Sequence, residues 1–380
     1  KQEEAAQQAY RNAAEDFHKE YPYITIEINT VPDSDKVLTA RMAADDVPVV
    51  FHGKPTSQAF FESAEAGFCL DLSDQPFIQN AIPSILESVK SEDGKVYAMP
   101  YSQNFMGVFY NVDIFKEHNL DIPKTWDEFM ALCQKLEDAG ITPFEFTFAD
   151  SWTCLPPWNS MAPVIPAADF TDQRKEGKTT FVGTHEEILE KYLSLLDHAQ
   201  DDFMGTTYTD GNAAFANGSA AMMINGNWAI SEFLNTNPDM NVNMFAFPSV
   251  DDESKNTVTS GVDVLFAVSN QGSEEQQEAA KEFIRYALTK DVAQEYIDDQ
   301  FAFSAVNGVE QQNETVSGVA KDIANGKVSN FPDHYYPNGF DLSTILQQFA
   351  LNKVNGMDDT ENISETLASC DEQYDAANVE

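Results

Sequence analysis

The chain has 380 residues, too many for one ordinary hydrophobic core and enough for two lobes of typical domain size. Hydrophobic residues make up 42%, sufficient to fill two cores, and no apolar run reaches the roughly 18 residues that a membrane span needs. With 63 acidic against 22 basic residues the net charge is −41, which repels phosphate backbones and anionic lipid headgroups and makes nucleic acid and polyanionic substrates poor partners.

The opening segment, Lys1-Gln2-Glu3-Glu4-Ala5-Ala6, consists of charged helix formers and cannot be the apolar region of a signal peptide. Ala6, Tyr10, Ala13 and Phe17 recur at helical spacing and predict an amphipathic helix, which Tyr21-Pro22 ends. Residues 24–28 alternate as a strand should, and a second helix and an apolar strand at 47–51 follow. Helices alternating with short apolar strands predict an α/β fold around a mostly parallel sheet. At Pro123-Lys124-Thr125-Trp126, Thr125 and Glu128 read as a capping box, each side chain satisfying an orphan N–H of the first turn. Trp126, Phe129, Met130, Cys133 and Leu136 then form a buried face, and Gly140 closes the helix. Ser273 with Gln276 repeats the device before Ala279, Ala280, Phe283, Ile284 and Ala287, whereas the polar stretch 250–256 reads as a loop.

Motifs for catalysis are missing. There is no Gly-x-Ser-x-Gly elbow, phosphate loop or dinucleotide fingerprint, and His185-Glu186-Glu187 lacks the second histidine of a zinc protease. Carboxylates are so abundant that no glycosidase pair can be singled out. Cys69, Cys133, Cys154 and Cys370 lie far apart, which argues against a zinc site or a redox motif and predicts free buried thiols at Cys69 and Cys133. The six histidines are scattered, so no metal, no cofactor and no enzymatic activity are expected.

Several segments in series resemble one family. They are Phe17…Tyr21-Pro22-Tyr23-Ile24, Ala66-Gly67-Phe68-Cys69-Leu70-Asp71-Leu72 and Asp93-Gly94-Lys95-Val96-Tyr97-Ala98-Met99-Pro100. Phe109-Tyr110-Asn111-Val112-Asp113-Ile114-Phe115, Ile122-Pro123-Lys124-Thr125-Trp126-Asp127-Glu128-Phe129 and Ala139-Gly140-Ile141-Thr142-Pro143 continue the series. It closes with Phe215-Ala216-Asn217-Gly218-Ser219-Ala220-Ala221-Met222 and Asn225-Gly226-Asn227-Trp228. In this order they are similar to the extracellular solute-binding proteins of ABC importers, a family that includes the maltose-binding protein; after about residue 305 the match is loose.

The resemblance implies a two-lobed periplasmic-binding-protein fold of α/β lobes, with hinge crossings and a ligand cleft that closes on its cargo. The first lobe is expected to comprise 1–108 and 262–310, the second 109–261 and 311–380, with crossings at 103–110, 260–264 and 306–312. The family begins with a strand ahead of its first helix, so an N-terminal segment with the export signal and a lipidated cysteine is expected to precede Lys1. The expected setting is extracytoplasmic, periplasmic or lipid-anchored at the cell surface, and the expected state is a monomer. The implied partners are an oligosaccharide and the transmembrane permease subunits, with a peptide or polyamine as the alternative cargo.

A sugar needs aromatic platforms for its C–H faces and fixed donors and acceptors for its hydroxyls. The resemblance points to Trp228, in the turn where a relative offers a stacking tryptophan. Asp150, Trp152 and Trp158 sit in a polar, proline-broken segment suited to line a site, with Trp152 favoured over Trp158 and Asp150 able to accept two hydroxyls. His52 and Lys54 follow the carboxyl end of a strand, the usual ligand edge of a parallel sheet. Gln103 and Asn104 occupy the first crossing and Asp263 the second, while Tyr335 falls where relatives offer another aromatic platform.

Overall fold

The computed structural model describes residues 4–30, 34–44, 46–53, 58–337 and 339–378. Its strands in chain order are β1 (Val50–Gly53), β2 (Ala98–Asn111), β3 (Met222–Gly226), β4 (Val242–Phe245), β5 (Val258–Val268), β6 (Phe303–Ser304) and β7 (Val328–Ser329). The chain divides into two compact units, Lys1–Asn104 with Val262–Gln312 and Phe105–Gly261 with Asn313–Glu380. Two of the switch points thus fall inside β2 and β5.

In the first unit the helix Glu4–Glu20 places Ala6, Tyr10, Ala14 and Phe17 in the core, with Ala14 more deeply set than the expected Ala13. It packs on the helices Glu274–Ala287 and Lys290–Gln300. β5 is covered on both faces, because Val264, Phe266 and Val268 join one hydrophobic cluster and Leu265 and Ala267 another. A strand with two buried faces reads as a continuous apolar run, which is how 264–268 reads. The ladder from β1 to β5 is antiparallel, Val50 facing Val268 and Gly53 facing Leu265.

That ladder corrects the parallel sheet expected from sequence. β1 and β5 are separated in the chain by the rest of the first unit's opening piece and by the Phe105–Gly261 piece of the second unit rather than by one crossover helix, so the right-handed βαβ rule does not govern their direction. The strand expected at 24–28 is also absent: exposure alternates there, but the segment joins no ladder among the described residues. Alternation reports one buried face, whereas a strand needs a bonded neighbour.

The second unit holds an extensive hydrophobic cluster. Phe129, Phe144, Phe148, Trp158, Tyr192, Phe349 and Tyr374 are among its buried residues, drawn from both chain pieces of the unit. β2 pairs antiparallel with β3, Met106 facing Gly226, and with β4, Val108 facing Phe245; β7 runs parallel to β5. The helix Trp126–Asp138 starts at the expected cap, Thr125 accepting from the Glu128 N–H at 3.2 Å. The return half of that box is displaced, since Glu128 accepts from the Lys124 N–H at 2.8 Å instead of from Thr125. Ser273 and Gln276 in the first unit make both halves. Gly140 holds φ at +74°, a conformation that closes the helix and that a β-carbon would strain.

All four cysteines are free and buried. Burial pushes the Cys69 and Cys370 thiols up to about 12, so neither is a thiolate at neutral pH.

Candidate ligand-binding site

In the second unit the chain leaves the buried run Phe144, Phe146, Phe148 and enters a 3-10 turn, Ser151–Cys154. The Gln347 side chain holds the approach by donating to the Phe148 carbonyl at 2.7 Å. Asp150 then accepts from the Tyr208 N–H at 2.7 Å, at the first residue of the helix Tyr208–Ala216. A carboxylate there satisfies an orphan donor and faces the positive end of the helix dipole, which fixes its orientation. Two residues on, the Trp152 ring is 41% exposed and leans on the Tyr208 ring at 4.8 Å. Asp150, Trp152 and Tyr208 therefore form one polar-aromatic station.

Trp158, six residues further on, is not part of it. The helix Leu155–Met161 turns its ring fully into the core, 5.1 Å from His185 and stacked on it, and 6.1 Å from Phe181. This corrects its place among the candidate ligand residues, because a ring with no exposed surface offers nothing to a sugar.

Trp228 belongs to a second station. It lies in the 3-10 turn Asn227–Ala229 after β3, half-buried against the core, with Phe331 at 6.4 Å. Phe331 carries the His334 ring stacked at 5.0 Å, and the neighbouring Tyr335 is 45% exposed. Asn227 anchors the turn by accepting from the Phe105 N–H at 3.0 Å.

In the first unit two of the candidates, His52 and Asp263, lie near Tyr10. His52, in β1 opposite Phe266, is half-buried with its ring 5.0 Å from Tyr10 and 5.5 Å from Phe266. The Tyr10 hydroxyl meets that of Tyr296 at 3.1 Å. Burial foremost, then the Tyr296 and Asp263 charges, push the Tyr10 hydroxyl well above its ordinary value, so Asp263 lies within electrostatic reach of it. Gln103 donates to the Ser304 carbonyl at 3.5 Å, and Asn104 is half-buried beside it in β2. Lys54 lies outside the described residues.

Sequence reasoning missed Tyr208, Phe331, Tyr10 and Tyr296 as neighbours of the candidates. Only Tyr208 carried a local signal, sitting directly after the cap that Thr207 makes with the Asp210 N–H. The others are brought in by pairings distant in sequence.

Residues 12–325 match the family of bacterial extracellular solute-binding proteins, and the chain belongs to that family. The chain is 28% identical over 348 residues to the multiple sugar-binding protein of Streptococcus mutans, a match spanning 89% of this chain and 82% of the relative. It is 26% identical to the melibiose/raffinose/stachyose-binding protein MelE of Bacillus subtilis, over 49% of this chain and 43% of that one. Among solved structures it resembles the solute-binding protein RafE in complex with raffinose, with a TM-score of 0.86, 25% identity and coverage of 100% of this chain and 98% of the other. RafE in its apo form, from Streptococcus pneumoniae, gives a TM-score of 0.84 at 25% identity, covering 100% of this chain and 97% of that one.

Proposed function

We propose that this chain is the oligosaccharide-binding component of an ABC importer. The observation that carries the reading is its likeness, along the whole chain, to a protein solved with raffinose. The Trp152 station supports it, because an exposed indole beside an oriented carboxylate suits a ligand with C–H faces and rim hydroxyls. Trp152 and Trp228 stack on sugar faces, Tyr335 extends the apolar surface, and Asp150 accepts hydroxyl protons. From the first unit, His52, Gln103, Asn104 and Asp263, with Lys54, supply hydrogen bonds.

The lobes 1–108 with 262–310 and 109–261 with 311–380 close about a hinge when sugar binds. A ligand drives that closure only through contacts stronger in the closed form than in the open one, so residues of both lobes must take part. The closed form is what the permease subunits engage, the chain acts as a monomer, and it works outside the cytoplasm, either periplasmic or lipid-anchored at the cell surface. No residue is assigned a catalytic role.

The test is a thermal-shift screen of melibiose, raffinose, stachyose and maltotriose, with polyamines, short peptides and phosphate esters as controls. A sugar at about 100 times its Kd stabilises the fold by ~2.7 kcal/mol and raises the melting temperature by a few degrees. A shift with a control compound and none with any sugar would overturn the carbohydrate reading.

A further inference from the structure

We propose that Gly226 is a positioning residue for the Trp228 ring, and that it sets the plane of the stacking surface this chain offers to a sugar; the second half rests on the sugar-binding reading above. Gly226 ends β3, paired with Met106, at φ −116° and ψ 173°. That is ordinary extended backbone, open to any residue, so no need for conformational freedom places a glycine there. The neighbouring ring does. A β-carbon added at Gly226 would lie 2.5 Å from Trp228 Cε3 and closer still to Cζ3 and Cη2. The indole is folded back flat over the glycine, occupying the space where any other residue would carry its side chain.

A second aromatic ring flanks the indole. Phe331 stands beside it, and a β-carbon at Gly261 would meet Phe331 Cδ2 at 3.2 Å, so Phe331 in turn fills the gap left by a second glycine. Trp228 Nε1 is enclosed as well. The missing side chain at 226 thus makes room for the indole, and Phe331, itself set against Gly261, stands beside it. An alanine at 226 must either push the ring out of its seat or bend the end of β3.

A double-mutant cycle of Gly226→Ala and Trp228→Ala separates these outcomes, read by melting temperature without sugar and by calorimetry with raffinose. Gly226→Ala should lower the melting temperature by several degrees when Trp228 is present and by under about one degree when it is Ala. It should weaken raffinose about tenfold or more, as Trp228→Ala does, and the double variant should bind no more weakly than Trp228→Ala alone. An equal melting loss in both backgrounds, or unaltered raffinose affinity in Gly226→Ala, would overturn the proposal. Should Gly226→Ala fail to fold, recovery of folding in the double variant supports the clash and lack of recovery refutes it. Raffinose ignored by the unmutated protein would sink that choice of sugar, and the melting cycle would still decide whether Gly226 seats the ring.

Discussion

Trp152 and Trp158 share one short, proline-broken segment and meet opposite fates. The first is 41% exposed on a 3-10 turn; the second has no exposed surface and stacks on His185 inside the second unit's core. The boundary between them is the start of the helix Leu155–Met161, which turns residue 158 inward while the preceding turn leaves 152 outside. Trp228 lies between the extremes, half-buried, its ring seated over the Gly226 backbone with Phe331 beside it, whereas Trp152 leans on Tyr208. Residue type therefore says little about role here, and what lies under the ring says a great deal.

The largest test of that contrast is Trp158→Ala. Emptying a fully buried ring site should cost about 3–5 kcal/mol of stability, measured by denaturant unfolding. A cost near that of an exposed tryptophan would mean that Trp158 is not core. Next comes Trp228→Ala, which should weaken sugar binding by ~1–3 kcal/mol in calorimetry. Unchanged affinity would remove that ring from the site.

A pH series probes the buried side of the comparison. Burial holds the His185 imidazole down at about 3, although its Nδ1 lies 2.8 Å from Thr184 Oγ1. The unfolded chain takes up the proton near pH 6.5 and the folded chain does not, so this residue makes stability fall as pH drops from about 6.5 towards 3. The loss should approach roughly 1 kcal/mol per pH unit within that window, and His185→Gln should remove it. The buried Glu145 carboxyl, raised by burial, has the opposite sign, so the difference between the two proteins is the quantity to read. Identical slopes would place a protonated histidine in the folded state.

The smallest effect belongs to the exposed ring. Trp152→Ala should leave the melting temperature without sugar nearly unchanged and cost about 1 kcal/mol in sugar affinity. A large loss of stability in that variant would erase the distinction from Trp158.

Much of the architecture was legible because it is local. The Thr125 cap, the buried stripe Trp126, Phe129, Cys133 and Leu136, the complete box of Ser273 with Gln276, and the α/β class each follow from residues within a turn or two of one another. The strand at 24–28 and the parallel sheet failed for the complementary reason, since bonding partners and their direction are set by segments far away in the chain. The candidate site divides along the same line. Asp150 and Trp152 could be picked out from a polar turn after an apolar run, but the bond that ties Asp150 to Tyr208 spans 58 positions.

What the sequence determined by itself is therefore a few amphipathic helices, the caps at Thr125 and Ser273 and the family series from Phe17 to Trp228. Tertiary structure alone decided which tryptophan is core and which is surface, that Tyr10 sits beside His52, and that the glycine at 226 lies beneath an indole. Periodicity and capping act over a few residues, whereas burial depends on whatever the rest of the chain brings alongside.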